Sequence, residues 1–298
     1  MKWKWNWIVD HTTDSKRFNI SLGRELPYER GRSVINGNFA INGHIGPPRQ
    51  VQPPTEQHDT TPVSRAKRGI ANTGKLWPQN RVVTVSFMDV PSRARRLIKQ
   101  CAATYSPLVN IQFKFVKDPD ADIRISTHED IQGNWSCLGT DALKVPKHKP
   151  TMHFDIQHTT ETMLAMTVLH EFGHALGLEH EHQHPDRTLD FNTPKTYTIY
   201  KDSTGLDKIK IYLNVLKKLN RAEHTYSAYD ANSIMHYNFP ASVLWKQDAT
   251  GDNLVLSEQD KAFLATLYPL APPPSEDVNT LKELVRFLSG LLLSPLSA

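Results

Sequence analysis

Two cysteines in 298 residues, Cys101 and Cys137, exclude a small fold stapled by several disulfides and permit either one disulfide or two free thiols. No run of about 18 apolar residues occurs, so no membrane-spanning helix is expected. Charge of one sign is not in surplus. There are 35 Lys and Arg against 31 Asp and Glu, a net +4, and no dense basic block marks a nucleic-acid surface. No internal repeat is visible. A chain that is 39% hydrophobic and 22% charged is not collagenous, coiled-coil or wholly disordered. Met1 to Val9 does not read as a signal peptide, because its apolar run is short and no small-residue cleavage site follows. The residue in excess is histidine: of 14, seven fall between His153 and His184.

Composition shifts divide the chain into three. Residues 1–74 read as an N-terminal, propeptide-like extension. Trp3, Trp5 and Trp7 alternate in it at a strand-like period, and a linker from Gln50 to Ser64 ends at the basic tetrapeptide Arg65-Ala66-Lys67-Arg68. That tetrapeptide is either a processing site or a patch of solvated charge. Residues 75–270 carry the orderly pattern. Strands are expected at Val82 to Phe87, Asn110 to Val116, Asp122 to Ser126 and Met152 to Ile156, with an edge strand at Trp135 to Leu143. Helices are expected at Ser92 to Tyr105, Thr162 to Leu176, Ile209 to Leu219 and Ser257 to Tyr268, and the chain after Gly177 is otherwise polar and irregular. Residues 271–298 are a Pro-rich break followed by an amphipathic helix from Asn279.

The helix from Thr162 carries an apolar stripe, Leu164, Val168, Phe172 and Leu176. On it begins His170-Glu171-x-x-His174-x-x-Gly177-x-x-His180. Residues four apart lie about 40° apart around a helix axis, so His170 and His174 point the same way, off the apolar stripe, and can meet one ion. A continuing helix would carry a third ligand too far along the axis. Gly177 accepts a left-handed backbone, ends the helix and swings His180 back. Three imidazoles leave an open position on zinc, the mark of a catalytic rather than a structural site. Glu171 stands beside the first ligand as a general base for a zinc-held water. His182 and His184 are expected in an exposed loop outside this ligand set, and His153 and His158 as ordinary polar residues.

At these residues the chain resembles the metzincin clan of zinc endopeptidases, and within it the astacin family. Glu181, directly after the third histidine, is the residue that separates the subfamilies. The stretch Tyr229-Asp230-Ala231-Asn232-Ser233-Ile234-Met235-His236-Tyr237 is similar to the family's Met-turn. Lys75-Leu76-Trp77-Pro78, Gly139-Thr140-Asp141-Ala142, Leu256-Ser257, Asp260-Lys261 and Leu267-Tyr268-Pro269 extend the likeness over residues 75–269.

The resemblance implies an α+β fold. A twisted mixed sheet and two long helices form its upper half, a mostly irregular part with a C-terminal helix its lower half, and the active-site cleft runs between. It implies one Zn2+ per chain on His170, His174 and His180, with Glu171 and Tyr237 catalytic. Gly177, Glu181 and Met235 would support the site, and Trp135 and Gly139 would stand at the substrate-cleft rim. The implied activity is zinc-dependent hydrolysis of internal peptide bonds in protein or peptide substrates, by a monomer that needs no nucleic acid. The alternative is a catalytically silent zinc-binding module, against which the presence of Glu171 argues.

The chain departs from animal members, which carry two disulfides, and no match to their zinc-capping propeptide aspartate is found. Cleavage after Arg68 would free Gly69, whose amino group could pair with Glu181. The family implies secretion, in which case Asn19-Ile20-Ser21 and Asn134-Trp135-Ser136 are candidate glycosylation sites.

Overall fold

The computed structural model describes residues 7–9, 18–20, 69–157 and 159–270. Trp3, Trp5, the Arg65–Arg68 tetrapeptide, His158 and the C-terminal helix expected from Asn279 lie outside them. The N-terminal strands β1 (Trp7–Val9) and β2 (Phe18–Ile20) pair antiparallel.

The next strand, β3 (Ile70–Asn72), begins upstream of Lys75 and belongs to the packed body: Ile70 and Ala71 are buried. The main sheet is built from β4 (Val82–Phe87), β5 (Gln112–Phe115), β6 (Ile123–Ser126), β7 (Trp135–Ser136) and β8 (Met152–His153), in the spatial order β5-β4-β6-β8-β7. All neighbours are parallel except the edge pair β7–β8, where Trp135 faces His153. Helix α1 (Ser92–Ala103) makes the crossover from β4 to its parallel neighbour β5, as a parallel pair requires. Strand β2 lies beside β7 without joining the sheet.

Helix α2 (Glu161–Ala175) is capped at its start by Thr160, whose hydroxyl accepts from the Met163 amide. Its predicted stripe, Leu164, Val168, Phe172 and Leu176, packs on the sheet with Val83, Val85, Ile123, Ile125 and Phe154 in the larger core, where Ile98 of α1 joins them. A second, smaller core gathers Phe191, Tyr200, Ile211, Val215, Tyr237, Phe239 and Val243 from the later half of the chain.

Four expectations are corrected. The edge strand stops at Ser136. From Gly139 to Lys144 the chain is a 3-10 helix, entered at a Gly139 φ of 50°, where a Cβ would collide with the Lys75 carbonyl. The chain after Gly177 holds an unpredicted helix, α3 (Thr193–Thr204). Asn192 caps its start, Pro194 lies in its first turn, and Gly205 ends it at a φ of 73°. The helix expected from Ile209 is a single turn, α4 (Lys208–Ile211), running into a π-helical turn, Tyr212–Leu216. Strand β9 (His224–Tyr226), also unpredicted, pairs antiparallel with β3. Helix α5 (Glu258–Leu267) lies where expected, held at its start by a reciprocal Ser257–Asp260 capping box. Among the described residues no helix is long and apolar enough to cross a membrane.

Candidate metal centre and active site

The site is built on the C-terminal end of α2, and its precision comes from how that end is satisfied. A helix leaves its last carbonyls without intrahelical partners. Here each has one. The Phe172 carbonyl accepts from Leu176 N, that of Gly173 from Leu178 N at 3.0 Å, and that of His174 from Gly177 N at 2.8 Å. The Ala175 carbonyl accepts from the Trp77 indole at 2.7 Å, and the Leu176 carbonyl from the Tyr268 phenol at 2.8 Å. The Gly177 carbonyl takes the amide of Asn72 in β3, and Ile70 of the same strand accepts from Glu179 N. The Lys75-Leu76-Trp77-Pro78 and Leu267-Tyr268-Pro269 segments, far apart in sequence, thus meet as the cap of the metal-binding helix.

Gly177 has a φ of 92°, as the turn requires, and a Cβ there would come within 2.8 Å of Leu76 Cδ2. The turn brings His180 back to His170 and His174. One nitrogen from each ring lies within 4.8 Å of the others, and all three side chains are buried. The His170 Nδ1–H donates to the Ile234 carbonyl at 2.8 Å and the His174 Nδ1–H to the Leu178 carbonyl at 2.7 Å, which makes Nε2 of both rings the atom with a lone pair for a metal. His174 Nε2 and His180 Nε2 stand 3.0 Å apart. Burial, with His174 beside it, drives the His170 pKa down to about 3, so its ring is neutral and able to ligate at ordinary pH. Three convergent imidazoles, two of them with tautomers fixed by backbone carbonyls, are a donor set that fits Zn2+.

Glu171 is buried, its Oε2 has no hydrogen-bond partner, and burial pushes its carboxyl well above the usual range. Met235 sits directly against α2: a Cβ on Gly173 would be 2.5 Å from its sulfur. The Met235 carbonyl accepts from Glu181 N at 3.0 Å, and Glu181 Oε1 accepts from Asp230 N at 2.7 Å. Burial, and then the nearby Asp260 and Asp230, raise the Glu181 pKa to about 8 against the pull of the Asp230 amide. Tyr237 is buried with its ring 4.3 Å from that of His180. Ile234 and Met235 belong to the larger core and Tyr237 to the smaller, so the Met-turn crosses from one to the other beside the three histidines. Trp135 lies on the edge strand, stacked on His153 at 6.2 Å.

Sequence reasoning misjudged the neighbouring histidines. His182 and His184 are fully buried rather than exposed. The loop carrying them is covered by the 208–216 helix on one side and by Tyr226 and Tyr229 on the other. Asp260 was legible only as part of a helix start. It also accepts from Ser233 Oγ at 2.6 Å and Ile234 N at 2.8 Å, so the α5 cap pins the Met-turn. The Ser257-x-x-Asp260 capping pattern was the available signal. The sequon at Asn134 is not presented for glycosylation, since Asn134 is buried and its Oδ1 accepts from Asp155 N. Both cysteines are buried, and they form no disulfide with each other.

The described geometry agrees with comparisons to known proteins. Zinc metalloproteinase nas-3 of Caenorhabditis elegans is 28% identical over 196 residues, covering 61% of this chain and 61% of its own. Zinc metalloproteinase nas-2 of the same organism is 26% identical over 200 residues, covering 63% and 62%. The chain therefore spans about three fifths of the length of these relatives. The solved structure of myroilysin is 36% identical and superposes with a TM-score of 0.65, covering 68% of this chain and 100% of that one. The model of the astacin peptidase family matches residues 69–250, and the chain belongs to that family.

Proposed function

We propose that the chain is a zinc-dependent metalloendopeptidase that hydrolyses internal peptide bonds of proteins. The observation that carries this is the placement of a buried Glu171, one carboxylate oxygen unpartnered, next to His170 in a cluster of three convergent imidazoles. His170, His174 and His180 would hold zinc, which when bound would supply Lewis acidity toward a carbonyl and lower the pKa of water toward about 7. Glu171 receives the proton of the attacking water and passes it to the leaving amine. Burial suits it to this, because a carboxylate with a raised pKa is a stronger base near neutral pH. The Tyr237 phenol is a donor that steadies the negative charge developing on the scissile oxygen. Gly177, Glu181 and Met235 hold this set in place. Trp135, on an edge strand, and Gly139, just beyond it, are the residues we assign to the substrate rim, where an extended peptide adds as a further strand. The three ligands, base and phenol all come from one chain, which supports a monomer as the working unit.

Digestion of an unfolded protein by the purified chain tests the reading, run with and without a zinc chelator and beside Glu171→Gln. Cleavage abolished in both controls is the expected result. Absence of cleavage by a zinc-loaded wild type would favour the silent zinc-binding module instead.

A further inference from the structure

His182 stands outside the ligand set and yet is fully buried. Its Nε2–H donates to the Asn214 carbonyl at 2.9 Å. Its Nδ1 is buried without a hydrogen-bond partner. An orphan nitrogen in such a place is unfavourable, and a leucine or phenylalanine would fill the space without one. The imidazole therefore contributes something that packing alone does not require.

What it faces is Tyr237. The two rings are 4.4 Å apart and only 22° from parallel. His180 also packs against the phenol ring, at 4.3 Å and tilted by 55°. Phe239 meets His182 edge-on at 5.1 Å. The tyrosine thus touches both an imidazole of the three-histidine cluster and one that is anchored elsewhere, the two imidazoles lying 5.4 Å apart.

The anchor is the π-helical turn. Its widened i→i+5 bond, from Lys217 N to the Tyr212 carbonyl at 2.8 Å, is the kind of local irregularity that recurs at functional sites. The Leu219 amide, which would continue the series to Asn214, instead donates to the Gln183 carbonyl, and this frees the Asn214 carbonyl for His182. The neighbouring carbonyls are also taken from the loop after the third ligand. Gln183 Nε2 donates to Leu213 at 2.7 Å, and Arg187 donates to Leu216 at 2.5 Å. Arg187 reaches back to the His182 carbonyl as well, at 2.9 Å. The ring of His182 is therefore fixed at both its backbone and its side chain.

We propose that His182 is a positioning residue for Tyr237: the Asn214 carbonyl fixes the imidazole, and the face of the imidazole restrains the phenol ring to motion within its own plane. Parallel stacking permits motion of the phenol within its own plane and opposes rotation of its ring. The proposal rests on the reading of Tyr237 as the oxyanion donor.

The test is a double-mutant cycle of wild type, His182→Leu, Tyr237→Phe and the double variant, with kcat, KM and zinc content measured for each. Flipping of the Tyr237 ring is followed in metal-free, 13C-tyrosine-labelled protein, with its signals assigned from Tyr237→Phe. His182→Leu is expected to lower kcat about tenfold, a displacement of well under an ångström being enough, with KM and zinc content unchanged. On the Tyr237→Phe background the same change is expected to do almost nothing, and in the single variant the ring flip becomes faster. His182→Phe keeps a flat face without the Asn214 anchor and stands in should His182→Leu not fold; an intermediate loss of kcat is expected. Equal losses on both backgrounds, or an unaltered flip rate, would overturn the proposal. If Tyr237→Phe alone keeps full kcat, the oxyanion reading itself falls, a result separate from a Tyr237→Phe loss that His182 fails to couple to.

Discussion

Replacing Gly177 with alanine isolates the turn on which the metal centre depends. At a φ of 92° the new Cβ meets its own backbone, and it would also stand 2.8 Å from Leu76 Cδ2. A sparsely populated backbone conformation costs on the order of 1–3 kcal/mol. The contact needs roughly 0.7–1.2 Å more room to reach an ordinary carbon–carbon separation, and inserting a methyl group into a filled core costs about 1–3 kcal/mol when the neighbours cannot yield. Leu76 is only partly buried and is able to turn, so the second contribution lies at the low end. Gly177→Ala is therefore expected to destabilise the metal-free protein by about 2–4 kcal/mol. Relief of the strain must move residues 177–180, so zinc binding is expected to weaken tenfold for each ~1.4 kcal/mol of strain that binding has to restore. Urea unfolding of the metal-free protein and zinc competition against a chromogenic chelator read the two effects. Repeating both on a Leu76→Ala background separates them, because the clash disappears there and the backbone cost remains. Wild-type stability and zinc affinity in Gly177→Ala would refute the assignment of Gly177 as the hinge that returns His180 to the site.

Glu171→Gln is expected to reduce kcat by about 10²–10⁴-fold while zinc content stays at wild-type level, as measured by metal analysis beside initial rates. Trp77→Phe removes the donor to the Ala175 carbonyl and leaves a buried acceptor unsatisfied; a loss of about 1–3 kcal/mol in urea unfolding is expected, and an unchanged midpoint would contradict the capping role of the indole. Burial depresses the His236 pKa from 6.5 to about 4, so the unfolded chain takes up this proton before the folded one does as the pH falls. The stabilisation is complete above pH 6.5 and lost on the way down to about 4, a change of roughly 3 kcal/mol at 1.36 kcal/mol per unit. The metal-free His236→Gln protein should show an acid dependence shallower by one proton in urea titrations between pH 7 and 4. His153 directs both ring nitrogens at carbonyls, Gly133 at 2.6 Å and His128 at 3.1 Å, and so ties the 128–133 loop to the edge pair β7–β8. His153→Phe is expected to speed amide hydrogen exchange in that loop without altering exchange in α2.

What the sequence disclosed and what it concealed follow from the range of the interactions involved. The α2 stripe, the ligand spacing and the glycine turn are local. Residues four apart on a helix share a face whatever surrounds them, and Gly177 needs a positive φ because of the backbone it must follow. These features were legible residue by residue. Helix α3 was missed because its inward face is Thr196 and Tyr200, with Tyr197 and Ile199 half-buried beside them, rather than a run of aliphatic residues. Its signals were the caps, Asn192 before Pro194 and Gly205 at the end.

Strand β3 and the histidines after the third ligand lay beyond any local pattern. Three residues do not establish a period, and β3 exists because β9 and the 177–179 turn give its backbone partners from more than 100 residues away. For His182 the sequence offered a polar, proline-containing stretch, for which an exposed loop is the ordinary inference. It is overturned by the 208–216 helix, whose last carbonyls lack intrahelical donors and draw the side chains of His182, Gln183 and Arg187 onto themselves. The same requirement governs both flanks of the metal centre. Trp77 and Tyr268 satisfy the end of the helix that carries the first two ligands, and the loop that follows the third satisfies the end of another. The proposed ligands, base and phenol are specified by their own chemistry. Their mutual positions are set by carbonyl groups at two helix ends that would otherwise be buried unpaired.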